Sequence, residues 1–214
     1  MVARTWVHRA FYHACRCVLV GPMMAWTRVR YFNAPDIRQV GGGLLIASNH
    51  QSFFDPVLVG VGLPKAICFL ARRDLFRVPG LGALLRAVGT FPVTRAAVDV
   101  AALKTVLHLL RNGEAVVIFP EGTRTRDGSL GRFKSGVAAI AIRCRVPVLP
   151  VCIEGTFACW PRTRALPRPG RVAVAYGPLL HPGEKSAEEL SRLLYGEVAK
   201  LQEFLRDYMG YTRD

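Results

Sequence analysis

The most informative stretch of the chain is residues 44–60, which read LLIASNHQSFFDPVLVG. It opens with a five-residue, mostly apolar run, Leu44–Ser48, which has the length and composition of a buried strand. Ser52 and Asp55 then stand three positions apart, a spacing that fits a capping box and predicts a helix that starts at Ser52. The stretch therefore predicts a strand that turns at once into a helix, with His50 at the carboxyl end of the strand.

The same alternation of strand-like and helix-like segments continues along the rest of the chain. Apolar or alternating runs predict further strands at residues 28–32, 66–70, 90–94, 115–119, 147–153 and 171–176. Helical spacing predicts helices at residues 81–88, 98–110 and 137–142, and a last one that opens at Ser186 with Glu189 in capping-box position. Strands that alternate with helices indicate an α/β fold, with a largely parallel mixed sheet covered by helices. We assign residues 28–214 to this one domain.

Residues 1–27 form a separate N-terminal segment with an amphipathic pattern. Its apolar residues at helical spacing are Val7, Phe11, Ala14 and Val18, and its polar face carries Arg9, His13 and Arg16. Trp6 and Trp26 are suited to the membrane interface, so the pattern favours a membrane-anchoring helix that lies on the bilayer. A helix packed on the domain would show the same periodicity. No apolar run reaches the roughly 20 residues of a spanning helix, and no signal-peptide cleavage site is expected.

Composition narrows the class of partner. The chain carries a formal charge of +14, and 51% of its residues are hydrophobic. A positive field attracts nucleic acids, anionic lipids and phosphorylated substrates alike. The basic residues are scattered and no zinc-finger or RNA-recognition motif is present, so we expect no nucleic-acid partner. The six cysteines include no C-x-x-C pair, which predicts reduced, mostly buried thiols and no metal site.

His50 and Asp55 are the candidate acid–base pair. Five positions on one helix would separate their side chains by about 140°, but the predicted strand-to-helix turn allows them to meet. Asp55 would then hold one ring nitrogen and leave His50 as a general base. The alternative is a helix cap, Asp55, beside a structural histidine, and the bare H-x-x-x-x-D spacing does not decide between the two.

A second cluster follows the strand predicted at residues 115–119. Residues 119–124 read FPEGTR, with Arg126, Arg132 and Lys134 beyond them. A glycine turn and an arginine fork suit a phosphorylated ligand, whereas the alternative is an exposed basic loop. Other arginines follow predicted strands and are candidates for the same anion: Arg72, Arg73 and Arg95.

Taken in order, these segments resemble the glycerolipid acyltransferase family, in particular the 1-acyl-glycerol-3-phosphate acyltransferases of bacterial membranes. Four blocks carry the resemblance: NHQSFFD at residues 49–55, GTFPVTR at 89–95, FPEGTR at 119–124 and VPVLPV at 146–151. The resemblance implies transfer of an acyl group from acyl-CoA or acyl carrier protein to the free hydroxyl of lysophosphatidic acid, giving phosphatidic acid. It implies no cofactor, because the acyl donor is itself a substrate.

The resemblance also assigns roles to residues. His50 would deprotonate the acceptor hydroxyl while Asp55 orients the imidazole. The acceptor would be held by residues of the second and third blocks and by a basic pair after the first: Arg72, Arg73, Arg95, Glu121, Gly122, Thr123 and Arg124. We expect a peripheral or monotopic protein on the cytoplasmic face of the cell membrane, bound to anionic lipid. The alternatives are a relative that acylates another lyso-lipid or a lipid-linked sugar, a thioesterase, and a basic binding module with a degenerate site.

Overall fold

The fold is seen in a computed structural model that describes residues 21–78, 82, 85, 90–93 and 100–211. Its strands are β1 Arg30–Phe32, β2 Leu44–Ser48, β3 Ile67–Arg72, β4 Thr90–Val93, β5 Ala115–Ile118, β6 Val148–Glu154 and β7 Ala173–Tyr176. They form one sheet in the order β1-β7-β6-β2-β5-β3-β4. Neighbours are parallel except for β6 and β7, which are antiparallel. The predicted α/β fold with a largely parallel mixed sheet is confirmed.

The described helices lie on both faces of this sheet. They are α1 Gly21–Thr27, α2 Asp55–Val61, α3 Val100–Arg111, α4 Gly136–Cys144, α5 Thr156–Cys159 and α6 Ala187–Met209. Apolar residues of α3, α4 and α6 pack on one face in a single cluster, and those of α2 pack on the other. None of the helices in the described part of the chain is long and apolar enough to cross a bilayer.

Strand β2 contributes to both hydrophobic cores. Leu45 and Ala47 point to the cluster shared with α3, α4 and α6, whereas Leu44 and Ile46 point to the cluster shared with α2. All four are buried. A strand covered on both faces has no solvent side, which explains why its sequence is a continuous apolar run rather than an alternating one.

The last helix begins where its capping box predicts. The Ser186 hydroxyl accepts from the Glu189 N–H at 3.2 Å, and the Glu189 carboxylate accepts from the Ser186 N–H at 2.8 Å. Leu190, Leu194 and Leu205 are buried against the sheet, as their spacing predicts. This helix, α6, packs mainly on β6, the strand that leads into the candidate site.

The helix predicted to start at Ser52 begins three residues later, at Asp55, and this prediction was wrong. The Ser52 hydroxyl donates to the Trp160 carbonyl instead of capping a helix, and the Asp55 carboxylate accepts from backbone N–H groups of the turn. The turn is therefore occupied by side-chain contacts that delay the helix. The helix predicted at 81–88 lies outside the described residues except for positions 82 and 85, and so do residues 1–20 of the N-terminal segment.

The two edges of the sheet differ in what they carry. His50 and Glu121 follow β2 and β5 at the carboxyl edge, where ligands gather in open α/β sheets. Because β7 runs antiparallel to β6, the loop of residues 160–171 that leads into β7 reaches this same edge. Helix α1 precedes β1, which is parallel to β7, and so ends there too. The carboxyl-terminal ends of α3 and α4 lie at the opposite edge, where β5 and β6 begin.

Candidate active site

His50 and Asp55 meet across the turn between β2 and α2. Nδ1 of His50 lies 2.8 Å from Oδ2 of Asp55, and the His50 ring stacks on Phe119 with ring centroids 4.0 Å apart. The carboxylate can only accept, so Nδ1 carries a proton, and in the neutral imidazole Nε2 then presents its lone pair. No described residue hydrogen-bonds Nε2, and the His50 side chain retains 18% of its exposure. The imidazole is therefore set up as a proton acceptor within reach of solvent.

The Asp55 carboxylate is completely buried and receives four hydrogen bonds. Oδ2 accepts from His50 Nδ1, from the Gln51 N–H and, at 2.7 Å, from the Ser52 N–H. Oδ1 accepts from the Thr156 hydroxyl at 2.7 Å. A buried charge is tolerated when hydrogen bonds replace its hydration, and these donors also fix its orientation. Asp55 thus holds the imidazole from a rigid position.

The backbone of His50 is hydrogen-bonded to the segment that follows β5. Its N–H donates to Oε1 of Glu121 at 2.8 Å, and its carbonyl accepts from the Thr125 N–H at 2.8 Å. The other Glu121 oxygen, Oε2, accepts from the Gly131 N–H at 3.1 Å. Burial raises the pKa of Glu121, and the two backbone donors partly oppose that rise. Both oxygens of Glu121 therefore face protein N–H groups, one of which belongs to the proposed base.

A buried polar network lies behind the pair and extends to α6. The Gln51 amide donates to Glu154 at 3.2 Å, and Glu154 accepts in turn from Gln202 at 3.0 Å. Asn49 exchanges two hydrogen bonds with the backbone of Ile153, at 2.8 and 2.9 Å. The turn that carries His50 is thereby tied to β6 and to the last helix.

Four basic side chains in the segment after β5 form what we call the cationic rim: Arg124, Arg126, Arg132 and Lys134. The Arg124 guanidinium lies 3.5 Å above the Phe53 ring. Arg126, Arg132 and Lys134 are exposed. Arg124, held over a ring of the His50 turn, is suited to a negatively charged ligand at the carboxyl edge.

Gly122 and Thr123 form the turn that leads into the rim. Gly122 has a φ of +72°, and its N–H donates to the Phe119 carbonyl at 3.0 Å, so this amide closes the turn. A Cβ at Gly122 would stand 2.9 Å from Nζ of Lys134, which places that ammonium beside the turn. Thr123 is exposed.

The structure brings some of the predicted site residues together and does not describe all of them. The structure brings His50, Asp55, Glu121 and Arg124 together. Arg72 is the last residue of β3, and Arg73 is an exposed residue that opens a short 3-10 helix, Arg73–Arg77. Arg95 lies outside the described residues.

Two contributors escaped prediction from sequence. Thr125 acts through its backbone N–H, which no sequence pattern reveals. Thr156 follows the fourth block but is 101 positions from Asp55, and nothing local predicts that its hydroxyl reaches that carboxylate. Within the described residues, no group of three or more His, Cys, Asp and Glu side chains is arranged to hold a metal ion.

An α/β sheet with a His–Asp pair and a cationic rim at its carboxyl edge is the arrangement that the acyltransferase resemblance predicts. Comparison with known proteins supports the same class. Residues 28–154 match the family described as Acyltransferase. The match covers more than half of the chain, and the protein belongs to this family. The family resemblance predicted from the four sequence blocks is confirmed.

Particular relatives share one name. The chain is 31% identical over 157 residues to the 1-acyl-sn-glycerol-3-phosphate acyltransferase of Bacillus subtilis, covering 73% of this chain and 75% of that protein. It is 37% identical over 116 residues to a chloroplast protein of the same name from Brassica napus, covering 53% of this chain and 33% of that protein. The chain thus spans about a third of the length of the chloroplast relatives that it matches.

A solved structure is similar over nearly the whole chain. The crystal structure of the 1-acyl-sn-glycerophosphate acyltransferase from Thermotoga maritima matches with a TM-score of 0.77 and 29% sequence identity. The match covers 95% of this chain and 81% of that one. The likeness therefore extends beyond the four blocks to the architecture that carries them.

Proposed function

We propose that the protein transfers a fatty acyl group from acyl-CoA or acyl carrier protein to the free hydroxyl of 1-acyl-glycerol-3-phosphate, giving phosphatidic acid. The observation that carries this proposal is the 2.8 Å contact between His50 and a fully buried Asp55 at the carboxyl edge of the sheet. The cationic rim beside it suits a phosphate-bearing acceptor, and three kinds of relative bear names for this activity. The acyl donor acts as a second substrate, with no cofactor.

The pair can carry out the proton transfers of direct acyl transfer. Nε2 of His50 takes the proton of the acceptor hydroxyl as its oxygen attacks the thioester carbonyl carbon. Asp55 stabilises the imidazolium that results. When the tetrahedral intermediate collapses, the carbon–sulfur bond breaks, the new ester remains, and the thiolate takes the proton from His50. The histidine returns to its starting state after each turnover.

The acceptor phosphate is held by the cationic rim in this proposal. Arg124 offers a planar fork of donors whose orientation is set by its stacking on Phe53. Lys134 lies beside the Gly122 turn, close enough to the same segment to add a second charge. Arg72, Arg73, Arg95 and Thr123 remain predicted contributors to acceptor binding.

Glu121 acts in this proposal through His50 and not through the acceptor. Each oxygen of its carboxylate accepts a backbone N–H, one from His50 and one from Gly131. It therefore positions the histidine backbone, while the acceptor contacts assigned to it by resemblance pass to its neighbours in the rim.

We also propose that the protein works at the cytoplasmic face of the cell membrane as a peripheral or monotopic protein. A diacyl product and a single-chain lyso-lipid acceptor both partition into lipid, so the site must meet a bilayer surface. The formal charge of +14 favours a surface that carries anionic lipid.

A panel of acceptors tests the proposed function. Purified protein in detergent is given an acyl thioester, and the thiol released is followed with lysophosphatidic acid, other lyso-lipids, a lipid-linked sugar or no acceptor. Thiol release should require a hydroxyl acceptor and should be fastest with lysophosphatidic acid. Equal release without any acceptor would identify a thioesterase, and faster release with an acceptor that lacks phosphate would refute the assignment of lysophosphatidic acid.

A further inference from the structure

The loop of residues 160–171 concentrates positive charge and an exposed apolar side chain. It reads WPRTRALPRPGR and contains four arginines and no acidic residue. All four are exposed: Arg162, Arg164, Arg168 and Arg171. Leu166 between them is 75% exposed, the largest value for a bulky apolar residue in the described part of the chain. Neither the catalytic pair nor the cationic rim uses this loop.

The loop lies against the active-site turn. The Trp160 carbonyl accepts from the Ser52 hydroxyl at 2.8 Å, and the Trp160 ring lies 5.0 Å from the rings of Phe53 and Phe54. Phe53 is the ring on which Arg124 stacks. The loop that carries the arginines therefore packs directly on the turn that carries the proposed base.

The far end of the loop connects to the segment that enters the domain. The Gly170 N–H donates to the Trp26 carbonyl of α1 at 3.3 Å. Trp26 is 50% exposed and Phe53 is 47% exposed. Aromatic side chains, an exposed leucine and arginines therefore share the carboxyl edge of the sheet with His50.

We propose that this loop is a docking surface for a bilayer that contains anionic lipid, which turns the carboxyl edge of the sheet toward the membrane. Arginines near a bilayer are attracted by anionic headgroups, while leucine and tryptophan enter the boundary between headgroups and chains. An acidic protein partner would account for the arginines but not for so exposed a leucine. The proposal rests on the proposed function in one respect, namely that the acceptor comes from lipid.

The test compares two pairs of substitutions in the full-length protein. Arg162→Gln with Arg164→Gln removes two charges from the loop, and neither side chain forms a hydrogen bond or ion pair with a described residue. Arg111→Gln with Arg143→Gln is the matched control, because both side chains are exposed at the opposite edge of the sheet. Both lie near Cys144 there, since burial raises the pKa of that thiol and the charge of each arginine opposes the rise. Binding is measured by co-sedimentation with vesicles of phosphatidylcholine, alone or mixed with phosphatidylglycerol.

The loop pair should lower the partition coefficient for the mixed vesicles about twenty-five-fold, at roughly a factor of five per arginine near the surface. The control pair should stay close to the unsubstituted protein. Leu166→Gln should weaken binding to both kinds of vesicle, because its contribution does not depend on headgroup charge. Equal losses from the loop and control pairs, or no loss from the loop pair, would overturn the proposal.

Two further measurements distinguish this proposal from binding of an acidic protein partner and from the proposed function. Weaker binding of the loop pair to an acidic acyl carrier protein, with vesicle binding unchanged, would assign the loop to a protein partner and overturn the lipid assignment. With a short-chain lysophosphatidic acid dispersed as single molecules, the loop pair should keep the turnover of the unsubstituted protein. If the unsubstituted protein acylates no acceptor, the proposed function fails while the vesicle measurements still decide the docking surface.

Discussion

The proposed catalytic pair and the cationic rim are close in space, since Arg124 stacks on Phe53, yet they are built in opposite ways. Asp55 is fully buried and receives four hydrogen bonds, and His50 is held by its ring and by both of its backbone groups. The rim side chains are exposed, except for the half-buried Arg124. Groups that react must be held in one geometry, whereas groups that bind a charged headgroup can adjust to it. Substitutions should therefore be severe in the pair and graded in the rim.

The largest effect is expected from His50→Ala, which removes the proposed base. Turnover should fall by about 10² to 10⁴, while the protein stays folded because three other donors still bond to Asp55. The matched control is His108→Ala on the exposed surface of α3, which should keep full activity. Retained turnover in the His50 variant would show that another group takes the proton.

Glu121→Gln should lower turnover by roughly thirtyfold, with little change in KM for the acceptor. An amide offers one oxygen where the carboxylate offers two, so its NH₂ group must face the N–H of either His50 or Gly131. Losing a charged hydrogen bond of this kind is worth about 2 kcal/mol. Steady-state kinetics that show a raised KM and unchanged turnover would place Glu121 on the acceptor instead.

Thr156→Val should lower turnover by about tenfold, since it removes one charged hydrogen bond to Asp55 without changing the size of the side chain much. Thr156→Ser keeps the hydroxyl and should restore most of the turnover. The two variants are compared at saturating substrate. Equal loss in both would mean that the methyl group, and not the hydroxyl, supports the pair.

Arg124→Lys should raise KM for the acceptor about fivefold and leave turnover nearly unchanged, because lysine keeps the charge and loses the planar fork and the stacking on Phe53. Arg126→Lys, at an exposed position two residues on, is the control and should change KM by less. If KM for the thioester rises instead, the rim binds the donor.

The smallest effect is a difference in pH dependence between the unsubstituted protein and Glu121→Gln. Because burial raises the pKa of Glu121, the folded protein holds this proton to higher pH than the unfolded chain does. The contribution of Glu121 to stability should therefore fall as pH rises from the ordinary glutamate range, about 4.3, through its raised value. Urea unfolding of both proteins across mildly acidic pH measures this difference, and a gap that widens in the opposite direction would contradict the assignment.

The sequence alone predicted the sheet and the contact between His50 and Asp55 because both depend on local signals. Runs such as Leu44–Ser48 and the capping box at Ser186 reflect burial and hydrogen bonding within a few residues. The start of α2 was misplaced because the Asp55 carboxylate and the Ser52 hydroxyl are taken up by contacts with the turn and with Trp160. One of these partners, Trp160, lies more than 100 positions from Ser52 in the sequence, so a capping rule based on neighbouring residues does not include it.

The role of Glu121 shows the same limit within the site. Its place in the third block predicts that it matters, and the resemblance assigns it to the acceptor. Only the folded geometry reveals that its two oxygens receive the N–H groups of His50 and Gly131. Thr156 and Thr125 were missed because one reaches across the sheet and the other contributes only backbone.

The network behind the pair also bears on the order in which the site is assembled during synthesis. The Asp55 carboxylate needs Thr156, and the Gln51 amide bonds to Glu154, which in turn takes a hydrogen bond from Gln202. These partners leave the ribosome long after the turn that carries His50. The turn that carries His50 is therefore synthesised before the residues that support it, and the polar network is completed only when α6, which carries Gln202, packs on the sheet.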